Sequence, residues 1–202
     1  PERVIVARPG TARVPFADCN GHPPRLLAVG SLIRRKAHNV LIDALAPLTH
    51  LPWQARFAGS AAFDPAWSDQ LQQQVNRLGL QSRICFTGTV RDSAPEFRAA
   101  DLFVLPSRYE GYGMVFAEAL AAGLPIVAAR AGAVPDLVPE SAGLLVPPDD
   151  ARALTVALST LLTQENLRRQ LQAGARRAAA ALPTWSDTAG RVARLIDAVR
   201  SA

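Results

Sequence analysis

Residues 102–125 have the sequence LFVLPSRYEGYGMVFAEALAAGLP, and the order of apolar residues and glycines in it indicates the fold class. The apolar run Leu102–Leu105 is short, as is typical of a strand that is buried on both faces of a sheet. A turn containing Gly111 and Gly113 follows, and it leads into the apolar stretch 114–122, which predicts a helix. A strand, a glycine turn and a helix in this order form one unit of an α/β sheet.

The same alternation extends outward along the chain in both directions. Short apolar runs bounded by Gly or Pro predict buried parallel strands at Leu26–Val29, Ala55–Ala58, Ile84–Thr87, Leu102–Leu105, Ile126–Ala129 and Leu144–Val146. Between them, leucine and valine recur at helical spacing. Because strand–helix–strand crossovers are right-handed, this order predicts an α/β fold. We expect a Rossmann-like, doubly wound parallel sheet of about six strands with helices on both faces.

Residues at the ends of the predicted helices support these assignments. Residues 93–96 (Ser-Ala-Pro-Glu) have the sequence of a capping box with Pro in the first turn. Gly79 is a C-terminal stop, and the pair Asp149–Asp150 predicts a cap for the next helix. Two more helices are expected at roughly 164–181 and 185–200.

Residues 1–24 differ in composition from the rest of the chain. They are rich in Pro and Gly around one apolar run, Val4–Ala7, which predicts a strand followed by a linker. We expect residues 25–202 to form one domain. The first residue, Pro1, is not Met and no signal peptide follows, so the start resembles a cut or processed end.

The overall charge is basic, but its distribution argues against a nucleic-acid partner. The formal net charge is +5, and 21 of the 22 basic residues are Arg, with Lys36 the single lysine. The arginines are scattered among acidic residues without interleaved aromatics, which excludes a stacking platform. Cys19 and Cys85 form neither a disulfide framework nor a metal motif, so we expect a reducing cytoplasm.

The turn after the first predicted strand is cationic. Gly30 and Ser31 lead to Arg34, Arg35 and Lys36, just before a helix. The turn lacks the glycines of a dinucleotide fingerprint and the Gly-Lys-Ser/Thr of a P-loop. Two interpretations stay open: a phosphate site at a helix N-terminus and a solvated basic turn.

The turn in the opening stretch combines amides with carboxylates. Backbone N–H groups around Gly111–Val115 can approach a ligand closely, and Glu110 lies in the turn itself. Glu118 lies in an apolar helix where an unbonded carboxylate would be costly. One carboxylate could meet a sugar hydroxyl or a reacting centre, while the other could accept hydrogen bonds from a ribose diol.

Residues 102–125 also carry a family resemblance. Glu110 and Glu118 are separated by seven residues, which resembles the E-x7-E signature of retaining GT-B glycosyltransferases, group 1 or family 4. Other segments resemble elements of the same family in the same order: Val29–Lys36, Arg83–Gly88, Ala131–Asp136, Gly143–Pro148 and Thr184–Ser186. The resemblance covers nearly the full chain.

The resemblance implies a site for a nucleoside diphosphate sugar. Lys36 would pair with the diphosphate, Glu110 would contact the donor sugar near the reacting centre, and Glu118 would bind the ribose hydroxyls. Ile84 would meet the nucleobase. The remaining donor-binding positions would be Gly30, Ser31, Arg35, Gly111, Tyr112, Gly113, Met114 and Val115. No metal and no cofactor are expected, since Lys and helix amides replace the cation in this family.

Two departures from the family pattern qualify these roles. The family usually has Arg at the position of Ser31, so Arg35 or Arg34 would have to supply the second cation. The N-terminal Rossmann-like domain, which binds the acceptor, has no counterpart in this chain. The resemblance therefore implies an isolated C-terminal half that binds nucleotide weakly and turns over little.

Other functions stay open at this point. They are a degenerate nucleotide-sugar-binding or interaction module, a GT-B nucleotide-sugar epimerase and an NAD-dependent oxidoreductase, the last disfavoured by the missing glycine fingerprint. The arginine-bearing helices after residue 164 could touch the inner face of an anionic membrane, although a solvated face is the alternative. We expect surface or capping roles for His22, His38 and His50.

Overall fold

The computed structural model describes residues 6–200 and contains one parallel β-sheet. Its six strands follow the order β3-β2-β1-β4-β5-β6, which is doubly wound with a switch point between β1 and β4. The strands are β1 (Arg25–Val29), β2 (Gln54–Ala58), β3 (Ile84–Gly88), β4 (Leu102–Leu105), β5 (Ile126–Ala129) and β6 (Gly143–Val146). The predicted fold and all six strands are confirmed.

Helices connect the strands and follow the last one. They are α1 (His38–Leu45), α2 (Pro65–Arg77), α3 (Ala94–Ala99), α4 (Met114–Ala121), α5 (Val134–Leu137), α6 (Ala151–Thr163), α7 (Glu165–Ala180) and α8 (Trp185–Arg200). Single 3₁₀ turns occur at Arg34–Lys36 and Ala46–Leu48. Helix α1 packs on α6, and α4 packs on α7.

The core explains why the central strands are so apolar. Every residue of β4 and β5 is buried, because both faces of these strands are covered by helices. Phe103 on β4 meets Phe116 of α4 edge-on, with the ring centroids 5.5 Å apart. This contact fixes α4 against the sheet and therefore fixes the turn that precedes it.

Two of the three predicted helix ends form as expected. Gly79 adopts a left-handed φ of 68° directly after the end of α2. The Asp150 carboxylate accepts a hydrogen bond from the Ala153 N–H at 2.8 Å and so caps α6. The prediction of a capping box at Ser93 is wrong, because the Ser93 side chain does not cap the helix. Instead, the Asp92 carboxylate accepts a hydrogen bond from the Ala94 N–H at 2.9 Å. Glu96 is unavailable for the box because it pairs with Arg56.

The segment before β1 runs along α7 and α8 without secondary structure. Val6 and Ala7 are not in a strand, so the predicted strand at Val4–Ala7 is wrong for these two residues; Val4 and Ile5 lie outside the described residues. The Thr11 N–H donates to the Pro183 carbonyl oxygen at 2.8 Å. The division into residues 1–24 and 25–202 stays a prediction.

Candidate functional site

The turn after β1 reaches the carboxyl edge of the sheet at its switch point. A Cβ on Gly59 would come within 1.9 Å of the Gly30 carbonyl oxygen, so the turns after β1 and β2 touch through their main chains. Ser31 lies on this turn, half-buried. The 3₁₀ turn Arg34–Lys36 follows, and Ala37 then adopts a left-handed φ of 53° where α1 begins. A ligand above this edge would meet the turn directly.

The turn after β4 holds Glu110 at the same edge. The Ala133 N–H donates to the Glu110 carbonyl oxygen at 2.9 Å, which fixes the main chain of this residue. Gly132 is needed there, because a Cβ would lie 2.1 Å from the same oxygen. Gly113 adopts a left-handed φ of 85° and turns the chain into α4.

Glu110 joins the two turns through an ion-paired cluster. The Lys36 Nζ lies 2.7 Å from Glu110 Oε1, and the Arg35 guanidinium lies 3.3 Å from Oε2. Lys36 is 8% exposed and Glu110 5% exposed, so this is a buried pair. Burial by itself would raise the pKa of Glu110, but the hydrogen bond from Lys36 and the charges of Lys36 and Arg35 outweigh it and lower the pKa.

The start of α4 adds backbone donors to this edge. Gly111 is exposed and Tyr112 half-buried in the turn. Met114 and Val115 are the first two residues of α4, so their N–H groups have no acceptor within the helix. Helix N-terminal amides are a ready anion site, and here they lie beside the cationic cluster.

The structure distinguishes the two arginines that could replace the cation missing at Ser31. The Arg34 guanidinium lies over the Trp67 ring, 4.3 Å from its centroid, and therefore points away from Glu110. Arg35 instead donates to the Tyr109 carbonyl oxygen at 2.7 Å and reaches Glu110. Of the two, Arg35 is the cation placed beside Lys36.

Glu118 lies one turn further into α4 and faces a different environment. It lines a pocket with the following side chains and backbone: Gly10, Thr11, Ala12, Val14, Asp92, Ser93, Ala94, Phe97, Met114, Ala121 and Trp185. Burial raises the pKa of Glu118, and a hydrogen bond from the Ser93 hydroxyl offsets only part of the rise. The pocket is largely apolar with a carboxyl and a hydroxyl in it, a combination suited to a polar ring system.

Sequence reasoning missed part of this site. Arg108 forms a bidentate ion pair with Asp149, with its Nη2 2.8 Å from Asp149 Oδ1. The sequence also does not predict that Thr11 and Trp185 line the Glu118 pocket. Trp185 belongs to the segment Thr184–Ser186, which resembles the family, but the resemblance assigns it no role. No local pattern signals either contact, because each joins residues that are distant in sequence.

Ile84 is not part of this arrangement, and its predicted role is wrong. It is the first residue of β3, so it lies at the amino edge of the sheet rather than at the carboxyl edge. The carboxyl end of β3 is Gly88, which precedes the loop that leads to Asp92 and Ser93. In a parallel sheet these two ends are on opposite sides of the molecule.

The expectation for His38 is also wrong. His38 is completely buried and packs against Phe57, with ring centroids 5.5 Å apart. Burial, with a contribution from the Lys36 charge, lowers its pKa to about 3. The side chain is a core residue beneath the site. His22 and His50 are exposed, as expected for surface residues.

Residues 6–200 contain neither a metal-type cluster nor a helix that could span a membrane. No group of three or more His, Cys, Asp or Glu side chains in this range is placed to hold a metal ion. None of the helices in the same range combines the length and apolar character that crossing a membrane requires.

Fold and site together define a doubly wound α/β domain with an anion-suited cluster at its switch point. Residues 23–164 match the family described as Glycosyl transferases group 1. Because this match covers more than half of the chain, the protein belongs to that family. Its sheet and helices also match those of GT-B glycosyltransferase structures.

Individual proteins similar to the chain agree with the family. A lipopolysaccharide core biosynthesis mannosyltransferase, LpsB of Rhizobium meliloti, is 35% identical over 141 residues, which are 66% of this chain and 40% of LpsB. The structure of sucrose-phosphate synthase from Thermosynechococcus elongatus is 31% identical with a TM-score of 0.86, over 96% of this chain and 52% of that one.

A third similar protein has a structure in complex with UDP-glucose. HepE from Anabaena, in complex with UDP-glucose, is 28% identical with a TM-score of 0.81, over 86% of this chain and 48% of HepE. The chain thus spans between 40% and 52% of the length of these three proteins.

Proposed function

We propose that this chain is the donor-binding domain of a retaining family 4 glycosyltransferase that takes a nucleoside diphosphate sugar. In the proposed reaction, the bond between the sugar's anomeric carbon and the diphosphate breaks, and a bond to an acceptor hydroxyl forms. The anomeric configuration is retained. The acceptor is a glycan or a lipid-linked glycan, bound by an N-terminal domain of the parent enzyme.

One observation carries this proposal: the cluster of Lys36, Arg35 and Glu110 lies beside the first-turn amides of α4 at the switch point. Two cations and free helix amides can take the two charges of a diphosphate. Glu110 is ionised at neutral pH, because Lys36 and Arg35 overcome the effect of burial and keep its pKa below the ordinary value. In the free protein it holds the two cations at one place.

The same groups fit the charges that develop during transfer. Negative charge grows on the departing diphosphate, where Lys36, Arg35 and the amides of Met114 and Val115 would stabilise it. Positive charge grows on the sugar ring, and the Glu110 carboxylate would lie next to it. The proposed catalysis is positioning and electrostatics, with Glu110 as the catalytic residue.

Glu118 gives the donor its second anchor. Its carboxyl would accept hydrogen bonds from the ribose hydroxyls in the pocket that Glu118 and Ser93 line. Thr11 and Trp185 line the same pocket. The relation to HepE, described in complex with UDP-glucose, supports a nucleotide sugar as the ligand class. The base is expected at the loop between Gly88 and Ser93, in place of Ile84.

Further parts of the proposal concern the surroundings of the reaction. We expect transfer without a metal or cofactor, with the cations of the cluster providing the positive charge. We also expect a cytoplasmic location, no nucleic-acid partner, and at most a peripheral contact of the arginine-bearing α7 and α8 with an anionic membrane. The 202-residue chain by itself should turn over little donor.

Calorimetric titration with UDP, GDP and ADP tests the proposal. At least one nucleotide should bind the wild-type chain, and both Lys36→Ala and Glu118→Ala should weaken that binding by about tenfold or more, which is the cost of losing a hydrogen bond to a charged group. Arg56→Ala is the matched control, because it removes a bidentate ion pair with Glu96 outside the site.

Two results would overturn the assignment. One is that none of the three nucleotides binds the folded wild-type chain. The other is that a nucleotide binds equally well to the wild type, Lys36→Ala and Glu118→Ala. A protein that binds nucleotide but whose full-length form transfers no sugar would be a nucleotide-binding module instead.

A further inference from the structure

Arg108 connects three turns at the carboxyl edge of the sheet. Its guanidinium donates to the Arg34 carbonyl oxygen and forms the bidentate pair with Asp149, in the loop between β6 and α6. Its main-chain N–H donates to the Arg35 carbonyl oxygen at 2.8 Å. One residue therefore binds the main chain of the cationic turn to two neighbouring loops.

These contacts differ in kind from those that Glu110 makes. Glu110 is bound to the side chains of Lys36 and Arg35, which are the groups that the proposed function assigns to the donor diphosphate. When a diphosphate competes for these side chains, their bonds to Glu110 weaken. The bonds of Arg108 go to carbonyl oxygens of the turn and to Asp149, so a ligand does not compete for them.

Arg108 also removes an electrostatic obstacle to anion binding. The carbonyl oxygens of Arg34 and Arg35 carry partial negative charge and lie in the turn that would receive a phosphate. Both oxygens accept hydrogen bonds from Arg108 and are drawn toward it. The turn can then present its cationic side chains while its acceptor atoms are occupied.

The partner Asp149 is itself held in an uncommon conformation. Its φ is 58°, in the left-handed region that residues with a Cβ rarely occupy, although Asp tolerates it better than most. The next residue, Asp150, caps α6. Asp149, the partner of Arg108, is therefore held next to the start of a helix rather than in a free loop.

We propose that Arg108 is a positioning residue for donor binding: it holds the main chain of Arg34–Lys36 in place while the Lys36 and Arg35 side chains leave Glu110 for the diphosphate. This inference rests on the proposed function. Arg108 acts through the turn and need not touch the donor itself. Its effect should therefore be specific to the diphosphate part of the ligand.

The test is calorimetric titration of Arg108→Ala, Arg108→Lys and the control Arg56→Ala with UDP, GDP and ADP and with the matching nucleosides. Arg108 and Arg56 each form a bidentate pair with a carboxylate, so both alanine variants lose such a pair, and only Arg108→Ala also loses the bond to the Arg34 carbonyl oxygen. Arg108→Ala should bind the preferred diphosphate about tenfold more weakly, which is the cost of losing a hydrogen bond to a charged group. Its binding of the nucleoside should stay within about twofold of the wild type, because the turn and the nucleoside are independent sites.

A conservative variant and a double variant separate positioning from loss of folding. Arg108→Lys should recover part of the affinity, because a single ammonium can still bind the Arg34 carbonyl oxygen. In the double variant Arg108→Ala/Lys36→Ala, the two losses should be less than additive, because Arg108 acts through the turn that carries Lys36.

The results of these titrations distinguish failure of the Arg108 inference from failure of the proposed function. If the folded wild type binds none of the nucleotides, both the proposed function and this inference fail. If the wild type binds and Arg108→Ala matches it, the inference is overturned and the donor site stands. An equal loss in Arg56→Ala, or an equal loss for nucleoside and diphosphate, would likewise contradict a positioning role.

Discussion

Glu110 and Glu118 are the same residue type, eight positions apart, in two opposite environments. Glu110 is buried between Lys36 and Arg35, which lower its pKa although burial alone would raise it. Glu118 has no cation in its pocket wall, and burial raises its pKa. The Glu110 carboxylate therefore stabilises the free protein, whereas ionised Glu118 opposes folding, as is common for carboxylates at binding sites.

Removing either member of the buried ion pair should have the largest effect. Glu110→Gln leaves Lys36 without its carboxylate, and Lys36→Met leaves Glu110 with only Arg35 beside it. We expect each to lower the free energy of unfolding by about 3 kcal/mol, at the low end for breaking a buried pair. Urea unfolding at pH 7 measures this change.

A matched control and a double variant test whether the loss comes from the buried pair. Arg56→Met breaks an exposed pair and should cost no more than about 1 kcal/mol. Glu110→Gln/Lys36→Met should cost clearly less than the sum of the single variants, since no unpaired buried charge is left and Arg35 is partly exposed to water. Additive losses would mean that the two side chains are not energetically coupled.

The stabilisation by Glu110 should depend on pH. Because its pKa is lower in the folded than in the unfolded protein, the stabilisation is present above the unfolded value and is lost as the pH falls through the folded value. The gap between wild type and Glu110→Gln should therefore shrink below about pH 4. His38, with a pKa of about 3, titrates in both proteins and cancels in the difference.

Neutralising Glu118 should have the opposite effect on stability. A carboxyl whose pKa is raised by folding opposes folding when ionised, so Glu118→Gln should be as stable as the wild type or more stable by up to about 1 kcal/mol. Its nucleotide affinity should fall about tenfold, because the ribose loses a charged acceptor. Urea unfolding and calorimetry on one preparation measure the stability and the nucleotide affinity. A Glu118→Gln variant that is less stable than the wild type would contradict the difference between Glu118 and Glu110.

The smallest expected effect concerns the residue after Lys36. Ala37 has a left-handed φ of 53°, where a Cβ costs about 1 kcal/mol, so Ala37→Gly should be more stable by up to that amount. Ala44→Gly, within α1, is the matched control and should be less stable by about 1 kcal/mol. Thermal unfolding of both variants shows whether the turn carries strain, and equal losses would show that it does not.

The fold could be predicted from the sequence because its signals are local. Each strand is a short apolar run with a turn residue beside it, as in Leu102–Leu105 and Ile126–Ala129. The wrong predictions fall where a distant residue intervenes. Glu96 cannot complete the capping box at Ser93 because Arg56, on β2, binds its carboxylate.

The sequence predicts most residues of the candidate site, but it does not predict which of them contact each other. Lys36 and Glu110 are each predicted in a turn that follows a strand, yet the bond between them depends on how β1 and β4 lie side by side. The role of Ile84 came from the family resemblance, although Ile84 begins its strand and ligands of a parallel sheet meet the carboxyl ends of the strands. The choice of Arg35 over Arg34 needed the position of Trp67, far away in sequence.

The most direct test uses the only lysine in the sequence, Lys36. Protein labelled with carbon-13 and nitrogen-15 lysine gives a single Nζ signal by nuclear magnetic resonance, and in the free protein that signal reports the bond to Glu110. We predict that the nucleoside diphosphate that binds in calorimetry shifts this signal, while the matching nucleoside does not. A nucleotide that binds and leaves the Lys36 signal unchanged would contradict the proposed donor site.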